Sequence, residues 1–457
     1  GTPFDTIGSR AKMLCECRFV VVILALGCLQ VRLSDAAEDG LARTPPMGWR
    51  SWNEFHGNIN DEIVRKQAKA MSAKRNEKGE VSKEGISLYD LGYDDIGLDD
   101  NWQHCKAGIN GSFHKADGTP IVNKDRFPNM TAMTDYIHSL GLKAGWYHNN
   151  CLCKETKNIW NGNDHYAGDA KATLQYGFDS VKLDGCGAFL NLSLWYNLLN
   201  APKKKIMIEN CHWGGEVPTL THCPYHMYRT CGDISARWDS FRKNLMSTVK
   251  FQAPRRPLSR PGCWAYPDML EVGRLPNFEE DRAHFGAWVI TSSPLILGHD
   301  MANETTMKRI WPIISNKRLI EINQAWAGTP GALFMTKKGS GPGNRTDDIQ
   351  IWLKLLKDDS VAMFTLNHNL HEEGKVESMS ISVQELTDFV NSYKTSNTIG
   401  PWNNFETLTA RCVYSGKDVT NVVYNKTEKT ITVVVGGHDS SFLKLKPSSS
   451  LATLSYF

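Results

Sequence analysis

Two regimes of hydrophobic patterning divide the chain. Between residues 44 and 325, short apolar or β-branched runs alternate with segments whose apolar positions recur every three to four residues. The short runs lie in TPPMGWRSWNEF (44–55), YDLGYDDIGLDDNW (89–102), KAGWYH (143–148), SVKLD (180–184), KKIMIEN (204–210), YRTCGD (228–233), LSRPGCWAYPDM (258–269) and PLILGHDM (294–301). Helical period marks residues 59–72, with Asn60 as the candidate cap, and then 130–142, 169–178, 192–200 and 279–292. Residues 73–85 are charged and contain glycine, and read as a solvated insertion. Eight strands separated by helical segments, each strand ending in polar or charged residues, predict an α/β fold. The type is a (β/α)8 barrel with its site at the C-terminal ends of the strands. A doubly wound sheet is the alternative, but no G-x-G-x-x-G follows the first strand.

Beyond residue 325 the period changes to two. ALFMTK, IQIWLKLL, SVAMFTLNH, VESMSISV, ARCVYS and ITVVVGGHDSSFLKLK alternate apolar and polar positions between Gly, Asn and Asp turns. This predicts a C-terminal antiparallel β-sandwich domain over 326–457, packed on a catalytic barrel over 38–325. It carries no clustered chemistry and reads as a support.

Residues 1–37 form neither pattern. Met13 opens a stretch in which Arg18 precedes an apolar run over 19–29, followed by small residues at Ala36 and Ala37. That is the layout of a leader and signal peptide, and the run is too short for a membrane span. The competing reading is a buried strand or helix of a cytosolic protein. Sequons at Asn110, Asn129, Asn191, Asn303, Asn344 and Asn425 fit a secretory route, secreted or lysosomal. Of twelve cysteines, three (Cys15, Cys17, Cys28) fall in the leader and nine follow. In an oxidising compartment these form disulfides and leave at least one thiol over. Net charge is +3, which suggests neither nucleic acid nor a membrane surface as partner. The 14 tryptophans suit stacking on sugar faces, although rings also build ordinary cores. A homodimer is compatible with the sequence, which does not decide the oligomeric state.

The chemistry concentrates where strands end. Asp184 closes the fourth strand, and Lys182, two residues earlier, shares its face. A lone K-x-D reads as a structural ion pair, but acids recur at strand ends: Asp99, Asp100, Asp233 and Asp268. Crowded on one barrel face they need cations, here Lys182 and Arg229, or a hydroxyl-rich ligand. Metal is the competitor, weakened by the scarcity of strand-end histidines beyond His148 and His212, and no ligand spacing among the cysteines suits zinc. Strands four and six stand roughly 9–10 Å apart, and inward side chains bring their carboxyls to about 5–5.5 Å, the spacing of a retaining glycosidase. On this reading Lys182 and Arg229 hold Asp184 ionised as nucleophile. Asp233, beside Ile234 and Trp238 and repelled by Asp184, holds a proton as acid and then base.

These residues resemble the glycoside hydrolase family of eukaryotic α-galactosidases and α-N-acetylgalactosaminidases, the melibiases. The likeness rests on PPMGWRSW (45–52), LGYDDIGLDD (91–100), KLDGC (182–186), RTCGDI (229–234) and RPGCWAYPDML (260–270). It implies that Asp184 is the nucleophile and Asp233 the acid/base, that Asp99 and Asp100 grip the galactose hydroxyls, and that Trp49 lies beneath the ring. Tyr147, Lys182, Arg229, Asp268 and Met269 match further pocket positions, and no cofactor or metal is implied. The implied partner is a carbohydrate with terminal α-linked galactose. The chain departs from the family at Asn101, where a cysteine is usual, which leaves Cys105 without an evident partner, and at Tyr266, where an acid is usual. The likeness further suggests a bridge from Cys151 or Cys153 to Cys186, and one from Cys211 to Cys223. After the fifth strand the family's galactosidases carry C-E-W and its N-acetylgalactosaminidases small residues. This chain reads Cys211, His212, Trp213, Gly214, Gly215. His212 as a donor to the 2-hydroxyl favours plain galactose; an N-acetylgalactosaminidase, a β-L-arabinopyranosidase and a catalytically silent sugar-binding protein are the alternatives.

Overall fold

The computed structural model describes residues 38–448, apart from 156–163, 202, 339–347, 370–375, 394–401, 403–406, 420–422, 426 and 428. Eight parallel strands form one sheet: β1 (Met47–Arg50), β2 (Asp95–Gly97), β3 (Lys143–His148), β4 (Ser180–Asp184), β5 (Met207–Cys211), β6 (Met227–Arg229), β7 (Trp264–Tyr266) and β8 (Leu295–Leu297). The order runs β7-β6-β5-β4-β3-β2-β1-β8, and a parallel bridge between Leu270 and Leu297 closes the ring. Around it stand α1 (Trp52–Phe55), α2 (Asp61–Ser72), α3 (Met130–Ser139), α4 (Asp164–Gln175), α5 (Leu192–Asn200), α6 (Trp238–Met246), α7 (Phe278–Ile290), α8 (Glu304–Ile314) and α9 (Lys317–Gln324).

Helix starts are set locally. Asn60, Asn129, Asn191, Asn277, Asn303 and Asn316 each cap a helix by accepting an N–H from its first turn. The outer face of the sheet packs on helices through a continuous core that includes Trp146, Trp195, Trp288 and Trp311.

The barrel interior is partly charged. Inward residues of β4 step upward as Ser180, Lys182 and Asp184, because side chains on a strand alternate faces. Ser180 Oγ donates to Asp95 Oδ2 at 2.6 Å, and Lys182 Nζ to Asp99 Oδ2 at 2.8 Å. Arg50, fully buried, joins Asp95 of β2 to Glu209 of β5, the latter at 3.2 Å. A Cβ at Gly97 would meet the Arg50 side chain at 2.3 Å, so glycine there makes room for the guanidinium.

Two antiparallel sheets follow the barrel. β9 (Ala332–Lys338), β10 (Asp348–Leu355), β11 (Val361–Asn367), β13 (Thr407–Cys412) and β16 (Asp439–Ser448) form a five-stranded sheet ordered β13-β16-β11-β10-β9. β12 (Val376–Ser382), β14 (Val423–Asn425) and β15 (Thr430–Gly436) form a three-stranded sheet ordered β12-β15-β14.

Several expectations change. The second strand is only three residues long, and Tyr89–Leu91 is a 3-10 turn. The sixth strand stops at Arg229, so Asp233 sits on a loop. Residues 73–85 are not simply solvated: Arg75 is buried and forks onto Glu304 at 2.7 and 2.9 Å. The β domain also contains a helix, α10 (Val383–Tyr393). Asn110, Asn129, Asn191 and Asn303 are exposed. The leader, Asn344 and the side chain of Asn425 lie outside the described residues. Among the described residues no helix is long and apolar enough to cross a membrane.

Candidate active site

A cavity of about 300 Å³ opens at the C-terminal ends of the barrel strands. Asp99, Tyr147, Lys182, Asp184, Trp213, Arg229, Asp233, Asp268 and Met269 line it, together with Trp52, Asn53, His56, Cys151, Ile234, Ser235, Ala236, Glu271 and Arg274.

Asp184 is almost wholly buried at the end of β4. Its Oδ2 accepts the Tyr147 hydroxyl at 2.7 Å and its Oδ1 the Gly185 N–H at 2.6 Å. Burial pushes the carboxyl above its ordinary range; the nearby Lys182 ammonium and the Tyr147 hydrogen bond pull it back, because both favour the anion. Tyr147 itself is held protonated by burial and by the carboxylates around it, which keeps it a donor. Asn149 donates from Nδ2 to the Asp184 carbonyl at 2.5 Å and accepts from Phe189 N at 3.1 Å, bracing the loop from below.

The cations are deployed differently from the sequence expectation. Lys182 bonds Asp99, not Asp184, and lies 5.3 Å over the Tyr147 ring. Arg229 does not serve Asp184 either. Its Nη2 meets Asp233 Oδ1 at 3.0 Å and Asp268 Oδ2 at 2.9 Å, because the strand ends at Arg229 and the chain doubles back. Asp233 is not in apolar surroundings: its side chain is 64% exposed and faces that guanidinium. Asp268 is the hub of this side of the cavity. It accepts the N–H groups of Ile234 and Met269 at 2.8 Å each, and its backbone φ is 105°. A non-glycine residue persists there only when its surroundings over-determine it.

Three expected positions fall outside the lining. Trp49 is fully buried behind the barrel, its indole N–H on His299 O at 2.8 Å. With Arg50 inward, alternation puts Trp49 outward, and Trp52, the second tryptophan of the same motif, reaches the cavity instead. Asp100 accepts the N–H groups of Cys151 and Leu152 at 3.0 and 2.8 Å and so braces the loop after β3. His212 turns its Nδ1 to within 3.4 Å of Glu216, and its neighbour Trp213 forms the wall.

Sequence reasoning missed Glu271 and Arg274. Glu271 accepts from Asn53 at 2.9 Å and from Arg274 at 2.7 Å, and burial pushes its carboxyl up to about 7. Its position three residues after Asp268, on the loop from β7, was the available signal.

Among the described residues the disulfides are Cys105–Cys153, Cys151–Cys186 and Cys223–Cys263. Cys151 is thus the partner of Cys186, and Cys105 has a partner in Cys153. The Cys211–Cys223 bridge is not formed. Cys211 shares the inward parity of Glu209, and its Sγ accepts from Arg229 at 3.3 Å.

Among the described residues two clusters have metal-ligand chemistry, and both are already satisfied. Cys151 and Cys186 beside Asp184 spend their sulfurs on the disulfide. In the other, Glu155 is saturated by Ser112 Oγ, Phe113 N, His114 and His165. His114 bridges Glu155 at 3.1 Å and Asp169 at 3.0 Å, and the two carboxylates lift its pKa to about 9 despite burial. A histidine pKa raised from its ordinary 6.5 contributes stability in full below about 6.5, and loses it as pH rises through about 9. The urea midpoint should therefore fall between pH 7 and 9.5, and His114→Asn should flatten that fall while lowering stability at neutral pH. An unchanged alkaline slope in the variant would refute the assignment.

The comparisons with known proteins place the chain in a family. Residues 44–325 match the family model described as melibiase, alpha galactosidase A. An alpha-galactosidase of Cyamopsis tetragonoloba is 33% identical over 348 residues, 73% of this chain and 75% of that protein. An alpha-N-acetylgalactosaminidase of Rattus norvegicus is 32% identical over 360 residues, 75% of this chain and 80% of that protein. In fold, the chain is similar to the alpha-galactosidase of Saccharomyces cerevisiae with a TM-score of 0.69 at 20% identity, covering 91% of this chain and 100% of that one. The eight-stranded barrel, the acid-lined cavity at its mouth and these matches together make the chain a member of the melibiase family of glycoside hydrolases.

Proposed function

We propose that this chain removes terminal α-linked galactose by a retaining, two-carboxylate mechanism. The observation that carries the reading is one cavity lined by a buried Asp184 and an exposed Asp233 among hydroxyl-gripping acids and cations. Asp184, held by Tyr147 and Gly185, attacks the anomeric carbon and forms a glycosyl ester as the bond to the leaving oxygen breaks. Asp233 gives its proton to that oxygen, then takes one from the water that cleaves the ester. Asp99, paired with Lys182, and Asp268, paired with Arg229, present fixed acceptors for sugar hydroxyls.

The preference for galactose over N-acetylgalactosamine rests on the wall after β5. Trp213, which stands at the Trp of the galactosidases' C-E-W, presents an indole to the cavity. A Cβ at Gly185 would meet that indole at 2.9 Å, so the ring is packed down against the nucleophile's loop. A panel of aryl α-galactoside, α-N-acetylgalactosaminide and β-L-arabinopyranoside tests the assignment, with the galactoside expected fastest by kcat/KM. Trp213→Gly should raise the N-acetylgalactosaminide to galactoside ratio by roughly tenfold. Equal rates on all three, or sugar binding without turnover, would overturn the assignment. Three disulfides suit an oxidising compartment, and with the leader-like N-terminus they support a secreted or lysosomal site of action.

A further inference from the structure

The loop that carries Asp233 is short, and its far end is the first residue of α6. Among the described residues six helices of the barrel begin on an asparagine cap, whereas α6, like the short α1, begins with no side-chain cap, in its case after Arg237. Its first residue, Trp238, is 6% exposed and is gripped by rings from the β domain instead. The His438 imidazole lies parallel to the indole, with centroids 4.3 Å apart and planes 10° from one another. The His368 ring meets it edge-on at 5.6 Å. Both histidines are fixed in turn. His438 sits in the turn between β15 and β16, and its main-chain N–H donates to Asn369 O at 2.9 Å, next to His368. That turn is moored to α7: His438 Nδ1 is 3.1 Å from Glu280 Oε1, and the adjacent Asp439 takes Arg282 Nη2 at 2.7 Å.

We infer that the C-terminal β domain supplies positioning residues for the hydrolytic reaction, His438 with His368, which place the Asp233 loop through the indole of Trp238. Neither histidine lines the cavity, so neither is catalytic. The inner half of the loop is fixed from the barrel side: Ile234 N–H donates to Asp268 at 2.8 Å, and Asn244 of α6 donates to Gly232 O at 3.2 Å. The outer half has Ser235 N–H on Ser240 Oγ at 2.9 Å, a bond within the same α6 turn that moves with Trp238. Asp233, 64% exposed, has Arg229 as its one side-chain anchor among the described contacts. Displacement of α6 at its first turn is therefore transmitted to the carboxyl by the main chain. Misplacing a proton donor by about 1 Å costs up to roughly 10²-fold in rate.

The inference rests on Asp233 as the acid/base, and the experiment separates the two. His438→Ala, His438→Phe and Asp233→Asn are compared on two galactosides. One has an aryl leaving group of low pKa that needs no protonation; the other is a disaccharide whose sugar oxygen does. The expected result for His438→Ala is a kcat/KM loss of roughly tenfold or more on the disaccharide, with kcat/KM on the activated substrate, which reports ester formation alone, near wild type. His438→Phe, which keeps a ring on the indole, restores the disaccharide rate. Equal losses on both substrates, no loss on either, or a Phe variant as poor as Ala would overturn the positioning role. If Asp233→Asn itself shows no dependence on leaving group, the acid/base reading fails and the inference falls with it. Should His438→Ala not fold, His438→Leu, which retains bulk without a π face, is read in the same way.

Discussion

Asp184→Asn should reduce kcat/KM for an aryl α-galactoside by on the order of 10⁴-fold or more, with galactose still bound. The amide has no oxygen able to carry the sugar as an ester, and among the described residues no other carboxylate near β4 is free to replace it. Asp99 is committed to Lys182, and Asp268 to Arg229 and two main-chain N–H groups. The Tyr147 hydroxyl keeps an acceptor in the asparagine oxygen, so the fold of the loop should survive. Measured initial rates within tenfold of wild type would remove Asp184 from the mechanism. Galactose affinity lost in step with the rate would point to a collapsed site instead.

The second large effect belongs to Asp233→Asn, and its size should depend on the substrate. Hydrolysis of a disaccharide should fall by roughly 10²–10⁴-fold, the usual contribution of a general acid. A substrate whose leaving group departs unprotonated should form the glycosyl ester at nearly the normal rate and then stall, because no base activates water. A burst of released aryl alcohol followed by slow turnover is the expected trace, and azide, which needs no base, should restore turnover. A uniform loss without a burst, unaffected by azide, would deny Asp233 the role.

How much of this was legible beforehand varies with the range of the interactions involved. The barrel was legible because buried parallel strands write apolar runs that need no partner to be recognised, and KAGWYH and SVKLD became β3 and β4 residue for residue. Asp184 was legible from its place at a strand end. The surroundings of Asp233 were not, because they depend on where β6 stops and on Asp268, thirty-five residues later in the chain. Trp49 and Trp52 belong to one motif, and only the inward parity of Arg50 shows that Trp49 turns away from the cavity that Trp52 lines. α10 was hidden because VESMSISV alternates straight into it, although Leu386, Phe389, Val390 and Tyr393 recur at helical spacing on its buried face. Disulfide partners depend on loop paths, and Cys223 joins Cys263 from the far side of β6.

The charged lower layer of the barrel, Arg50 with Asp95 and Glu209 and Ser180 with Asp95, bears on how the ring closes. Apolar strands slide past one another with a modest change in packing, and eight of them offer many near-equivalent alignments. Here a slip of one residue in β1, β2, β4 or β5 would turn a charge out of the ring and strand its partner in a dry interior. A buried pair broken in this way costs about 3–5 kcal/mol, a large fraction of what a whole domain can spare. Whatever these ions add to net stability, they make misthreaded barrels scarce, so the acids that line the cavity arrive at the rim at matching heights.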